Sequence, residues 1–305
     1  MAQQSDAAGS IYDLGYRRYE GARLGRRYAV LSLYLHSLRA CFGLGRRNPN
    51  KIIPVGLAIF TFIPAIIQLG IAAIADNIVE VYKAENYYGF IQWPLALFVA
   101  AVAPEVVGRD QRNRTLSLYF SRSLSRFDYA AAKVGALTTA LLLLTLAPQL
   151  VLFTGNALAG NDIWGYVRGH WGDVPPIVAA GATLSLFMAS IALAIASRTP
   201  RRAYATGGIL AYFAISTTVG ALLVNISSGE LRRWTLLVSG FHIMRGLTLW
   251  IFGVTPRLNR DGTSDGPGGD LALADLPLAL YFVAAAVIIA GCLYLVHRRY
   301  QRIAP

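Results

Sequence analysis

Residues 104–133 read PEVVGRDQRNRTLSLYFSRSLSRFDYAAAK, with five arginines, one lysine, two aspartates and one glutamate between two long apolar runs. The rest of the chain makes that charge conspicuous. Of 305 residues, 55% are hydrophobic and 14% charged, against about 25% charged in an ordinary soluble domain. Uncharged runs recur at 52–75, 90–103, 134–160, 175–197, 203–228 and 276–296. A helix crosses a bilayer core with about 20 mainly apolar residues. The run at 90–103 is short alone, but Tyr87, Tyr88 and Trp93 extend it through an aromatic interface. The expected fold class is therefore an all-α integral membrane protein with six transmembrane helices. Their expected bounds are about 52–75, 88–107, 127–156, 175–197, 200–226 and 276–297.

Basic residues give the orientation. Nine lysines and arginines precede span 1, six lie in the stretch 104–133, three follow span 4 and three end the chain, together 21 of 28. The remaining seven share the alternate connections with ten of the sixteen acids. The positive-inside rule then puts both termini in the cytoplasm. The first fifty residues are polar and basic with no apolar core, so no cleavable leader is expected. Two cysteines, Cys41 and Cys292, make neither a disulfide framework nor a metal-ligand set.

A cytoplasmic N-terminal segment, 1–50, precedes the transmembrane domain, 51–305. Residues 1–10 are expected to be disordered. Leu31, Leu35, Leu38 and Phe42 recur at helical spacing on one face, with Ser32, His36 and Arg39 on another, which predicts an interfacial amphipathic helix over about 28–44. Anionic lipid, rather than nucleic acid, is the expected partner of the basic charge. The stretch WTLLVSGFHIMRGLTLWIFG (234–253) is apolar enough for a seventh span, but Gly240, His242, Arg245 and Gly246 interrupt it. A central arginine is costly in lipid. The expectation is an outer re-entrant or interfacial helical hairpin over 231–254. Loop 256–275, rich in Gly, Asp and Pro, is expected to be mobile.

Within the opening stretch, Pro104 and Glu105 close span 2. A glutamate at a membrane edge is interfacial, caps a helix or pairs with an arginine. Leu116, Phe120, Leu124 and Phe127 repeat at spacings that form one apolar face, and Arg122 and Arg126, four apart, form another. Ser125-Arg126-Phe127-Asp128 is a capping box, so span 3 starts near Arg126. Thr199-Pro200 is a second helix start, with Thr199 as cap and proline at the first position. Charge alone does not separate a topology marker from a docking element.

The order of residues resembles the permease subunits of type 2 ABC exporters. Their cytoplasmic loop runs from a glutamate ending span 2, through a Gly-Thr-Leu segment, to Ser-Arg-Pro-Val-Ser-Arg and a lysine in span 3. Glu105, Thr115-Leu116, Ser121-Arg122-Ser123-Leu124-Ser125-Arg126 and Lys133 match in order and spacing. Arg114 stands where glycine is usual, and Ser123 where proline is usual. The N-terminal helix, the six spans and the outer hairpin extend the resemblance over most of the chain.

The resemblance implies that the loop 108–126 holds a coupling helix that docks into a nucleotide-binding subunit. Its contact residues would be Arg109, Arg112, Arg114, Thr115, Leu116, Phe120, Arg122, Ser125 and Arg126. Glu105, Asp128 and Lys133 would be structural residues at span edges, and His242 and Arg245 would belong to the outer hairpin. No G-x-x-x-x-G-K-[ST] phosphate loop occurs, so ATP and Mg are expected in a separate ATPase subunit, with no cofactor, metal or catalytic residue in this chain. A second permease copy would complete the transporter in the plasma membrane, with the substrate path between the copies and export as the direction.

Other classes fit less well. A proton- or sodium-coupled transporter needs ionisable groups at membrane depth, where the spans offer mainly Gln68, Gln149, Asn156 and Asn225. A membrane protease lacks HExxH, and its four histidines are scattered. A scaffold or lipid-binding membrane protein has no need of the ordered loop. Spans without fixed charge imply a hydrophobic or amphipathic cargo.

Overall fold

The computed structural model describes residues 21, 24–44, 49–74, 84–113, 115–121, 124–159, 162–227, 230–255 and 276–302. The expectations for residues 1–10 and 256–275, and for the side chains of Arg114 and Arg122, lie outside the described residues. Every regular element among the described residues is helical, and six helices are long and apolar enough to cross a membrane.

Helix α1 (Gly25–Cys41) precedes a broken first span, α2 (Pro49–Thr61) and α3 (Ile63–Ile74). Helix α4 (Ala84–Ala103) continues through a wide π-helical turn, Pro104–Gly108, into α5 (Arg109–Arg112). A short α6 (Leu116–Phe120) leads to α7 (Arg126–Ala159). Then come α8 (Ile163–His170), a 3-10 turn at Trp171–Asp173, α9 (Val174–Ala196) and α10 (Arg202–Ile226). A bent pair follows, α11 (Glu230–Thr235) with its 3-10 extension and α12 (Gly240–Phe252). Helix α13 (Leu278–Gln301) ends the described chain.

Contacts fix which helix ends share a side. Gln111 and Arg299 both reach the carbonyl of Ser197, Arg202 pairs with Glu105, and Tyr129 packs on Tyr300. The ends of α5, α9 and α13 and the starts of α7 and α10 therefore meet at one basic end. At the opposite end, Tyr88 near the start of α4 donates to the carbonyl of Ile177 in α9 and packs on Phe252 of α12. The long helices thus alternate in direction from α4 onward.

Local chemistry sets the boundaries. The capping box forms as the sequence predicts: the Ser125 Oγ accepts from the Asp128 N–H, and the Asp128 carboxylate accepts from the Ser125 N–H, both at 3.1 Å. The start of α10 lies two residues later than expected, at Arg202. Proline disfavours helical geometry in the residue before it and Arg201 is extended, so Thr199 caps only a turn, accepting from the Arg201 N–H at 3.4 Å. Helix α12 is bounded by Ser239, which accepts from the His242 N–H, and by Gly253 at φ 66°. That left-handed glycine closes the helix with the bond from the Val254 N–H to the Leu249 carbonyl.

Helix α1 runs beside α7 in the same direction. Arg26 meets Ser125 and Asp128 at the start of α7, and Tyr34 donates to Thr139 further along. Gly135 lets the Tyr34 ring approach, its absent Cβ lying 3.7 Å from that ring. The face turned to the bundle carries Leu33, Ser37 and Cys41, while Leu31 and Leu35 point away. Of the expected apolar face, Leu38 and Phe42 pack against the core as well, and Ser32, His36 and Arg39 are exposed. With lipid as surroundings, large apolar groups are stable outside and small residues allow close helix contact.

Candidate functional site

The described part of the loop 108–126 forms two short helices, α5 and α6, so the residues expected to share one apolar face are divided: Leu116 and Phe120 lie in α6, Leu124 before α7 and Phe127 within α7. Leu116 and Leu124 are buried, Phe120 is half-buried, and Phe127 is exposed at the start of α7. Thr115 folds the loop back: its N–H and hydroxyl both donate to the Asp110 carbonyl.

The turn at Pro104–Gly108 exists because proline has no N–H. The carbonyl of Ala100, four residues earlier, therefore lacks its helical donor, and the Thr206 hydroxyl of α10 supplies one at 2.9 Å. Widening the turn frees backbone carbonyls further along, and the Lys133 ammonium of α7 donates to the carbonyl of Val106 at 2.8 Å. The same ammonium is 2.8 Å from the Asp110 carboxylate, which also accepts from the Tyr129 hydroxyl at 2.7 Å. Lys133 is buried, so this pairing with a carboxylate and a carbonyl is what makes its charge tolerable.

Tyr129 is the hub. Its ring touches those of Tyr119, Phe120 and Tyr300, and Lys133 lies 5.3 Å from its centroid. Burial and the negative charge of Asp110 push the Tyr119 phenol above its usual range, against the pull of Arg109. A further bond carries α5 to α9: the Gln111 amide donates to the Ser197 carbonyl at 2.9 Å. Ser197 ends α9, where backbone carbonyls have no helical partner, and the Arg299 guanidinium donates to the same oxygen.

Of the residues singled out in the sequence, Glu105 pairs across the bundle with Arg202 at 2.9 Å. Ser125 and Asp128 form the cap and also receive Arg26, whose guanidinium donates to both carboxylate oxygens. Arg126 lies 5.8 Å over the Phe120 ring. Arg109 and Arg112 are exposed. A cleft of about 580 Å³ opens beside the loop, with Phe120, Arg126 and Phe127 on one wall and His297 and Gln301 on the other. His242 and Arg245 lie elsewhere, in α12 at the opposite half of the bundle.

No protein-family model matches this chain, and no curated protein is similar to it in sequence. The residues that sequence reasoning missed are Tyr129, Asp110, Gln111, Ser197, Thr206 and Arg299. One signal was present: Tyr129 and Lys133 are four apart and share a face of α7. The partners from α9, α10 and α13 carry no local signature.

The described bent pair turns by 103° between α11 and α12. Arg245 donates to the carbonyl of Glu85 and to the Asn86 side chain at the start of α4. The arginine that interrupts the apolar pattern is thus bound to polar groups.

Proposed function

We propose that this chain is the membrane-spanning permease subunit of an ATP-driven ABC transporter, of the exporter type, working with a separate ATPase subunit and a second permease copy. The observation that carries this reading is the attachment of the segment after α4 to four other helices at the basic end. Asp110 is held by α7, Gln111 by α9 through Ser197, and Glu105 by α10. Ser197 is shared with α13 through Arg299. A push on such a segment moves several spans together, which is what coupling to a partner's ATP cycle requires.

The exposed side of the loop suits docking. Arg109 and Arg112 are solvated, Leu118 and Phe127 are exposed apolar groups, and the cleft lies between Phe127 and the end of α13. Under this reading the basic end is cytoplasmic, in keeping with the distribution of lysine and arginine. The bent pair is then an outer re-entrant hairpin. Its tip at Gly240 lies against Phe187, thirteen residues into α9, or about 20 Å along at 1.5 Å per residue. Its far end, Phe252, returns to Tyr88 at the outer end of α4.

The test is charge reversal in the loop. Arg122→Glu with Arg126→Glu leaves membrane insertion intact but abolishes copurification with a phosphate-loop ATPase encoded beside the gene, and ATP-dependent transport with it. Unchanged association and transport in that variant overturn the docking role.

A further inference from the structure

The spans bury three amide side chains that the bundle leaves incomplete. Gln68 of α3 is 3% exposed, Gln149 of α7 5% and Asn156 of α7 6%. The Gln68 Oε1, the Gln149 Nε2 and the Asn156 Oδ1 are each buried with no hydrogen-bond partner. A buried polar atom without a partner is rare in a folded protein. Three of them line one cavity, of about 220 Å³, at the end of the bundle remote from the basic network. Gln149 and Asn156 are seven residues apart, two helical turns, so α7 presents both on one face.

Glu85 completes the polar wall. It is 9% exposed and lines the same cavity. Arg245 takes the backbone carbonyl of Glu85 and the side chain of Asn86, and it is outside the lining. Among the described residues the Glu85 carboxylate itself meets no hydrogen-bond donor or cation. Asp173, exposed, adds a second acid at the rim, and His170, stacked on Tyr166, also lines the cavity. The remaining wall is apolar and aromatic, including Phe153 and Phe252.

We propose that this cavity binds a protonated amine carried on an apolar body. The buried carboxylate supplies the opposite charge, the amide oxygens of Gln68 and Asn156 accept ammonium N–H bonds, and aromatic faces favour a cation. The Gln149 N–H calls for an acceptor close to the nitrogen, a hydroxyl or carbonyl oxygen. Two sources carry this chemistry, the head of an aminophospholipid and a free amphiphilic amine. The assignment rests on these residues and is independent of the reading of the chain as a permease.

The test uses the full chain in nanodiscs of phosphatidylcholine, with octylamine as probe and octanol as the uncharged control. Octylamine at neutral pH raises the thermal midpoint in a saturable way and octanol does not. Glu85→Gln weakens octylamine binding by about tenfold or more. Gln68→Leu also loses the octylamine response, yet its unliganded midpoint equals or exceeds that of the parent, because a buried amide oxygen without a partner has been removed. Equal shifts with octylamine and octanol, or undiminished binding in Glu85→Gln, overturn the proposal. So does a water-filled cavity indifferent to both probes. In nanodiscs containing phosphatidylethanolamine, loss of the octylamine response in the parent supports the lipid head as occupant, and its persistence supports the free amine.

Discussion

The hydroxyl of Thr206 donates to the carbonyl of Ala100 at 2.9 Å, the carbonyl that Pro104 leaves without a helical donor. A defect in one span is thus repaired by a side chain from another, and α4 and α10 are joined where the wide turn begins.

Thr206→Val keeps the shape and deletes the donor. Leaving the Ala100 carbonyl without a partner costs about 1–3 kcal/mol, and Thr206→Ser retains the bond. The expected outcome is a lower thermal midpoint for valine alone, measured on the purified chain in detergent. Equal midpoints for serine and valine would show the bond to be idle.

Lys133→Met strands Asp110 and deprives the Val106 carbonyl of its donor. Breaking a buried pair from one side costs about 3–5 kcal/mol. Adding Asp110→Asn to Lys133→Met removes the orphaned charge and recovers part of the loss. A double-mutant cycle on thermal unfolding reads this directly: strictly additive losses would mean that the two groups do not interact.

Gly246 marks the close approach of α12 to α13. A Cβ there would lie 2.5 Å from the ring of Tyr281, which is wholly buried. Gly246→Ala therefore forces the helices apart and destabilises by about 1–3 kcal/mol. Gly207 of α10 meets nothing within 4 Å, so Gly207→Ala stabilises by about 0.5–1 kcal/mol through helix propensity. Opposite shifts in the thermal midpoint are expected, and the same shift in both would count against the α12–α13 contact.

Local features were legible in the sequence, whereas features assembled from distant residues were not. The six long apolar helices follow from run length, because a bilayer core imposes a minimum. The capping box at Ser125–Asp128 is written in four consecutive residues and forms as read. The side of α1 that meets the bundle was not legible, because in lipid apolar periodicity does not identify the side that packs on protein. Leu31 and Leu35 are apolar and outward, whereas Ser37 and Cys41 are small and inward. Lys133 was recognisable, but its partners Val106 and Asp110 lie 27 and 23 residues away across a wide turn that no helical template contains. Glu105 was open among three roles, and only its packing against α10 selects Arg202.

The turn at Pro104–Gly108 also sets an angular phase. One residue more in a helical turn rotates everything beyond it by about 100° relative to an uninterrupted helix. Asp110 and Gln111 lie just past that rotation, and they face α7 and α9 together. Deleting a single residue between 104 and 108 would leave the composition of the basic end almost untouched, yet it would swing both side chains away from Lys133 and Ser197 at once. The span and the loop are thus keyed like a lock's tumblers, with alignment held by the count of residues in one turn.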